Sequence, residues 1–335
     1  MYNKIWRGVT TGLVLSALVM LPSANALEQV VKPDAAVTRG SNLQVVGVAP
    51  DADDVNVILS LINDLMKSSN AHDIDGVLGS YSPRFVSGDN MTLDQIKKLI
   101  QETWSVFPDI RYQTETLEVR VSGNWATVES IDSATATAKV DPVAGNQLGR
   151  LESRSRGLLY LHRIGTSWEI LSDYTLYERA VITYGNLGAL ELDLSTPEQV
   201  FAGEPYSARV SMDVPEGVLA IATISREPLV YPQVKPRDKF RSLSSDKNTL
   251  ERIFSANKNN TNEVVTATVG FTQIAQDSED RPTIQLNGIA TIVKRVNILP
   301  KSQFRLQQPT DDLVRVSADG DVDLTESAAS SDDEE

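Results

Sequence analysis

The segment that decides the fold is Leu117–Val128, which has the sequence LEVRVSGNWATV. Apolar and polar residues alternate on both sides of Gly123-Asn124, a pair that is typical of the tight turn in a β-hairpin. A second segment, Leu158–Ile170, repeats this pattern around Gly165. Each segment therefore predicts two antiparallel strands that are joined by a short glycine-containing turn.

Three helical segments precede the two hairpins. Apolar residues at helical spacing predict one helix over residues 53–66, and a shorter helix follows over residues 73–78. The third helix begins at Thr92, which has capping-box spacing to its third following residue, and it ends before Pro108. Helices followed by long antiparallel strands predict an α+β domain over residues 52–184, in which a curved antiparallel sheet wraps around the three N-terminal helices.

These elements carry a resemblance to a known family. Residues 73–78, with the sequence DIDGVL, the turn Tyr81-Ser82-Pro83 and the two hairpins together resemble the nuclear-transport-factor-2-like superfamily, in its SnoaL-like bacterial branch. The resemblance covers residues 52–184 only. It implies a cone-shaped domain with a pocket inside the curved sheet, and it also implies homodimerisation. Relatives include isomerases, dehydratases, cyclases and proteins that only bind ligands or mediate assembly, so the resemblance implies no single activity.

Enzymes of that superfamily, as the resemblance implies, place a carboxylate base inside an apolar cone next to a tyrosine, a histidine or a protonated acid. Such chemistry needs a carboxylate with a raised pKa beside a hydrogen-bond donor. The candidate catalytic residues are Asp132 on the second strand, Tyr160 and His162 on the third, and Asp173 on the fourth. Alternation places Tyr160 and His162 on one mixed face of their strand, which suits a pocket wall and a partly exposed sheet equally well. A solvent-facing role at the strand end is the competing interpretation of His162.

The helical period disappears after residue 186. Seven β-rich runs follow and are mostly separated by turn signals: 189–194, 206–213, 218–225, 229–231, 250–256, 264–274 and 284–298. Their number and spacing predict an all-β, immunoglobulin-like sandwich over residues 186–300. The loop 233–247 contains five basic residues, which we interpret either as a solvated loop or as a patch for anionic envelope components or for the chain's own acidic tail.

The N-terminal sequence predicts export. Lys4 and Arg7 precede an apolar run, and Ala24-Asn25-Ala26 has the small residues of a cleavage site. This pattern predicts a secretory signal peptide over residues 1–26, followed by a polar leader over residues 27–51. An uncleaved anchor is the alternative, but the apolar run is short for a membrane span. We therefore expect a periplasmic or extracellular protein that has no membrane span after cleavage of the signal peptide.

Composition excludes several classes of site. The chain has no cysteine, which excludes disulfides, thiolate metal sites and an N-terminal lipid on cysteine. It has two histidines, too few for a histidine-rich metal site, and it lacks the motifs of phosphate-binding loops and dinucleotide sites. The net charge is −14 and is concentrated in the tail at residues 301–335, which we predict to be disordered. We expect no cofactor, no metal ion and no nucleic-acid partner.

Together these features predict an exported, non-catalytic binding or assembly protein of the cell envelope, whose cone holds a small apolar ligand or mediates dimerisation. Two alternatives stay open. One is an enzyme of the isomerase, dehydratase or cyclase kind that uses Asp132 or Asp173 with Tyr160 or His162. The other is a purely structural envelope component, which a closed aliphatic interior would favour.

Overall fold

A computed structural model gives the fold and describes residues 44–45, 52–141, 147–185, 192–212, 218–232, 241–242, 248–276 and 282–301. The predicted signal peptide, nearly all of the polar leader, the basic loop apart from residues 241–242, and the acidic tail apart from Lys301 lie outside the described residues. Within the described residues, no helix is both long enough and apolar enough to cross a membrane.

Three helices come early in the chain: α1 Ala52–Asn70, α2 Ile74–Leu78 and α3 Leu93–Val106. Asp73 caps α2, where its side chain accepts a hydrogen bond from the backbone N–H of Gly76 at 3.1 Å. At the start of α3, the side chain of Gln95 accepts a hydrogen bond from the backbone N–H of Thr92 at 2.9 Å. The predicted order, with helices before the long strands, is confirmed.

The described residues contain thirteen strands: β1 Gln44–Val45, β2 Arg111–Ser122, β3 Trp125–Asp141, β4 Gln147–Ile164, β5 Ser167–Gly185, β6 Leu192–Ser195, β7 Gln199–Phe201, β8 Pro205–Met212, β9 Leu219–Pro228, β10 Arg241–Ser242, β11 Thr249–Ser255, β12 Glu263–Gln276 and β13 Pro282–Leu299. Ten of them form one sheet in the order β1-β2-β3-β4-β5-β13-β12-β9-β10, and β7 pairs with β13. The other three form a second sheet in the order β11-β8-β6.

Both predicted hairpins are present, as β2–β3 and β4–β5. Their turns contain Gly123 and Gly165, with φ of +59° and +62°. Glycine suits this left-handed conformation because it has no Cβ atom. The predicted strand at residues 229–231 is wrong, since these residues follow β9 without pairing as a strand. Pro228 and Pro232 flank them, and proline cannot donate a hydrogen bond to a sheet.

The helices pack on one face of the strands β2–β5, which we call the inner face; the opposite face is the outer face. Apolar side chains of α1, α3 and these strands form a first core, which includes Ile58, Leu65, Ile100, Leu161 and Ile170. The α1 residues of this core recur at spacings of three and four, so one stripe of the helix is buried.

The second half of the chain extends the same large sheet. β13 pairs with β5 from Gly288 opposite Gly185 to Lys294 opposite Arg179. On the outer face of the extended sheet lies the three-stranded sheet, and the two sheets enclose a second core that includes Val210, Val269 and Ile292. The C-terminal half is therefore β-rich with two packed sheets, but an immunoglobulin-like topology is not confirmed. The predicted domain boundary near residue 185 stays a prediction.

Two β-bulges in β5 decide which of its side chains face inward. The pairing of β5 with β4 passes over Leu171 and Leu176. Ile170 lies on the inner face before the first bulge, Asp173 lies there between the bulges, and Glu178 lies there after the second. Simple alternation from Ile170 would turn Asp173 to the outer face, so the first bulge is what brings this carboxylate inside.

Candidate functional site

A row of polar side chains crosses the inner face of the sheet. Cross-strand pairing aligns Thr114 on β2 with Asp132 on β3, Asp132 with Ser155 on β4, and Ser155 with Glu178 on β5. All four residues are buried. Burial of ionisable groups in an apolar core costs free energy, and such groups concentrate at functional sites. The row is therefore the first indication of a site inside the helix-backed half.

Asp132 is held by hydroxyl groups on both carboxylate oxygens. Thr114 Oγ1 donates a hydrogen bond to Oδ1, and Ser130 Oγ donates one to Oδ2 at 3.0 Å. These hydrogen bonds offset part of the cost of removing the carboxylate from water. They also fix its orientation, so Asp132 is a rigid acceptor within the interior.

Asp173 lies next to the loop that precedes α3. The backbone N–H of Gly88 donates a hydrogen bond to Asp173 Oδ1 at 3.0 Å. Burial raises the pKa of Asp173 to about 6; the Gly88 hydrogen bond and the Arg295 charge oppose this rise, and the Asp89 charge adds to it. The residue is nevertheless partly exposed. Asp173 is therefore a carboxyl group that can give or accept a proton near neutral pH.

Tyr81 lies close enough to both of these acids for their charges to act on its hydroxyl. Its ring packs edge-to-face against Phe85, with the two ring centroids 4.9 Å apart. Burial, and then the negative charges of Asp173 and Asp132, raise the pKa of the Tyr81 hydroxyl, so the hydroxyl stays protonated. We call Tyr81, Asp132 and Asp173 the interior acid cluster. It combines a fixed carboxylate, a titratable carboxyl group and a hydroxyl donor.

Glu178 is a third acid on the inner face. Burial raises the pKa of Glu178 to about 7, against the effect of the Arg295 charge and together with that of the Asp89 charge. Neither Glu178 nor Tyr81 is among the site residues predicted from the sequence. Glu178 alternates with the buried residues Ala180 and Ile182, and this period-two pattern is the signal that could have indicated its inward orientation. Tyr81 precedes the sheet strands by a whole helix and a loop, and no local pattern in the sequence identifies it.

Tyr160 and His162 lie on the outer face of β4. The alternating neighbour Leu159 is buried in the first core, whereas Tyr160 is 39% exposed. His162 packs against Trp125 of β3, with ring centroids 4.5 Å apart. Asp132 and Asp173 thus both lie on the inner face, whereas Tyr160 and His162 lie on the other side of the sheet. Tyr81 is the tyrosine whose hydroxyl the charges of both acids reach.

The described residues contain no group of three or more histidine, aspartate or glutamate side chains arranged to hold a metal ion. The acids of the inner face are accompanied by hydroxyl groups and by the Arg295 guanidinium instead. These groups allow hydrogen bonding and proton transfer on the inner face.

Comparison with known proteins shows similarity over a segment of the chain. No protein-family model matches, and no curated protein matches. Among solved structures, a protein from Novosphingobium aromaticivorans that is provisionally assigned as a scytalone dehydratase is 12% identical with a TM-score of 0.31, over 36% of this chain and 82% of that one. The Kfla4162 protein from Kribbella flavida is also 12% identical with a TM-score of 0.31, over 36% of this chain and 88% of that one. The similarity thus covers about a third of this chain.

Proposed function

We propose that the protein binds a small, mainly apolar molecule in the interior of the helix-backed half, and that the interior acid cluster receives the molecule's hydrogen-bonding group. The observation that carries this proposal is that the charges of Asp132 and Asp173, two acids of the inner face, both act on the Tyr81 hydroxyl next to an apolar core. Apolar walls with a few oriented polar groups are the usual composition of a small-molecule site. The binding takes place outside the cytoplasm, in line with the predicted signal peptide.

Asp173 is the acid best suited to meet the ligand. Both oxygens of Asp132 already accept hydrogen bonds from hydroxyl groups, and that residue is almost fully buried. Asp173 is partly exposed, and it is protonated below about pH 6 and ionised above it. It can therefore donate to a ligand acceptor in acid and accept from a ligand donor at neutral pH, while the Tyr81 hydroxyl donates throughout.

Binding can be tested with cyclohexanol and cyclohexanone as probes, by NMR of the full chain with labelled methyl groups. We expect millimolar probe to shift the methyl signals of Leu159 and Ile170, which lie on the inner face. Asp173→Asn should weaken cyclohexanol binding about tenfold at neutral pH, because a hydrogen bond to a charged group contributes about 1.5–3 kcal/mol. Tyr160→Phe on the outer face is the matched control and should change nothing. Unmoved inner-face methyl signals with both probes would refute the proposal.

One observation favours a second candidate, which is acid–base catalysis. Asp173, an acid with a pKa of about 6, acts through its charge on the protonated Tyr81 hydroxyl. Ionised Asp173 can remove the α-proton of a ketone while the Tyr81 hydroxyl stabilises the enolate oxygen, a step used by isomerases and dehydratases.

The test for catalysis is the exchange of cyclohexanone α-protons for deuterium, followed by NMR. The wild-type protein should accelerate the exchange, with a rate that rises as the pH passes about 6, where Asp173 loses its proton. Asp173→Asn should abolish the acceleration and Tyr81→Phe should reduce it. Equal rates with and without protein would exclude this chemistry and leave the binding proposal in place.

We also propose that the protein assembles through its outer face. The outer face presents apolar side chains to solvent, with Trp125 54% exposed and Tyr160 39% exposed. Exposed apolar patches are typical of protein–protein contacts, so this face is the one suited to a second copy of the chain. A purely structural role is the least favoured, because an inert core has no need of buried acids.

A further inference from the structure

The loop over residues 80–91, which we call the edge loop, lies along β5 at the place where β13 leaves it. The pairing of β13 with β5 extends to Lys294 opposite Arg179, and from Asn297 onward β13 pairs with β7. Besides the bond from Gly88, four hydrogen bonds attach the edge loop to β5: Ile170 N–H to Ser80 O at 3.0 Å, Ser82 N–H to Ile170 O at 2.8 Å, Val86 N–H to Leu171 O at 3.3 Å, and Ser172 Oγ to Val86 O at 2.7 Å. The edge loop thus covers the edge of β5 next to Asp173.

Gly88 is the residue of the edge loop that meets Asp173, through the 3.0 Å hydrogen bond to Oδ1. A Cβ atom on Gly88 would lie 2.8 Å from the backbone oxygen of Asp173 and 3.1 Å from the Tyr174 ring. The backbones therefore approach so closely that a larger residue would push the donor away from the carboxylate. The position of Gly88 determines whether this hydrogen bond forms.

Asp89, the next residue, forms an ion pair with Arg295, which belongs to the other half of the chain. Arg295 on β13 donates from Nη1 to Asp89 Oδ2 at 2.9 Å and from Nη2 to Asp89 Oδ1 at 2.5 Å. Asn262 Nδ2 donates to Asp89 Oδ1 at 2.7 Å. Arg295 is 3% exposed, so this is a buried, bidentate ion pair whose side chains have little freedom to reorient. The ion pair therefore fixes the position of Asp89 in the edge loop.

The same arginine is itself held in place from β13. Arg295 Nε donates to Asn297 Oδ1 at 2.7 Å, and Asn297 Nδ2 donates to the carbonyl oxygen of Leu176 at 2.8 Å. Leu176 is the bulge residue after which Glu178 turns inward. Three carboxyl groups act on the Arg295 charge: Asp89, Glu178 and Asp173. One residue of β13 therefore connects the edge loop, the second bulge of β5 and two acids of the inner face.

We propose that Arg295 is the positioning residue of the interior site: by holding Asp89 it keeps the Gly88 N–H on the Asp173 carboxylate. The inference rests on the proposed function, in which Asp173 receives the ligand. It assigns a role to the second half of the chain, since a side chain of β13 completes a site whose other residues all come from the first half. A buried ion pair that only stabilises the fold is the competing explanation, and the two make different predictions for Asp173.

The discriminating variant is Arg295→Lys, which keeps the positive charge but cannot hold both oxygens of Asp89. Positioning predicts that the Gly88 hydrogen bond weakens and that the pKa of Asp173 rises by about one pH unit, the equivalent of a hydrogen bond to a charged group. A role through charge or stability alone predicts no change in this pKa. The measurement is a carboxyl-carbon NMR titration of the full chain with labelled aspartate. The matched control is Arg163→Lys. Arg163 forms an ion pair with Asp54 at 3.0 Å, and its substitution should leave the pKa of Asp173 unchanged.

Asp89→Asn is the second variant and covers the case in which Arg295→Lys does not fold. Loss of the Asp89 charge alone would lower the pKa of Asp173, whereas loss of the Gly88 hydrogen bond, which has the larger influence, would raise it. A rise supports positioning, and a fall overturns it. Gly88→Ala changes no charge and should reproduce the rise.

Probe binding in the same samples separates this inference from the proposed function. If Arg295→Lys or Asp89→Asn raises the pKa of Asp173 but cyclohexanol and cyclohexanone do not bind the wild type, the positioning role holds and the proposed function fails. If the probes bind the wild type but the pKa of Asp173 is unchanged in Arg295→Lys, or unchanged or lowered in Asp89→Asn, the positioning role is wrong.

Discussion

Glu178 shows how one buried residue makes folding depend on pH. Burial raises its pKa from 4.5 to about 7 in the folded protein. Between these values the folded chain binds a proton that the unfolded chain releases. Protonation therefore favours the folded state, and the contribution of Glu178 to stability is lost as the pH rises through this window.

The corresponding prediction concerns Glu178→Gln, which cannot ionise. From about pH 4.5 to pH 7, the free energy of unfolding of the variant should rise relative to the wild type by about 3 kcal/mol, at 1.36 kcal/mol for each unit of pKa change. The measurement is urea unfolding over a series of pH values. Glu152→Gln on the exposed outer face is the control and should give a nearly flat difference. A flat difference for Glu178→Gln as well would show that the carboxyl group is not perturbed by burial.

At the scale of elements, the hairpin turns depend on backbone conformation more than on packing. Gly123 has a φ of +59°, and no atom lies within 4 Å of the position that a Cβ would take. A substitution there would therefore test the left-handed conformation without a steric clash. The turn sets the register of β2 against β3, and hence which side chains reach the inner face.

Gly123→Ala should lower the free energy of unfolding by about 1–2 kcal/mol, because a side chain disfavours the left-handed region. Gly123→Asn should cost less, since asparagine visits this region more readily than alanine. Both values can be measured by urea unfolding at one pH. Equal losses for the two variants would mean that something other than φ limits the turn.

The elements also show which features of the fold can be predicted from residues that are close in sequence. The three helices, the cap at Thr92 and both hairpins were predicted, because each depends on residues that are close in sequence. The face of the sheet that each β5 side chain occupies could not be predicted in the same way. Its first bulge arises from pairing with β4, so a period-two pattern that starts at Ile170 places Asp173 on the wrong face, and the second bulge restores the original phase at Glu178.

At the scale of the whole molecule, the two cores share one sheet. β13 joins them through its pairing with β5, and Val293 of β13 packs against the first core while Ile292 belongs to the second. Trp104, Trp125 and Trp168 all lie in the first half of the chain. Tryptophan fluorescence therefore reports on the first half, and circular dichroism reports on both.

We predict that the two halves unfold together. Ile224→Ala removes a side chain that is 1% exposed in the second core, and it should cost about 2–5 kcal/mol. The tryptophan transition and the circular dichroism transition should shift by the same amount. Ile253→Ala, at a residue 76% exposed, is the matched control and should shift neither. An unchanged tryptophan transition in Ile224→Ala would mean that the halves are independent domains.

Local patterns predicted the kinds of element, their order and most of their limits, because helix periodicity, caps and glycine turns act over a few residues. They also indicated Asp132 and Asp173 as candidate acids. The fold alone shows that both acids act on the Tyr81 hydroxyl, that Tyr160 and His162 lie on the other face, and that Arg295 holds the edge loop. These relations join residues up to 206 positions apart, and they depend on bulges and on strand pairing between the two halves of the chain.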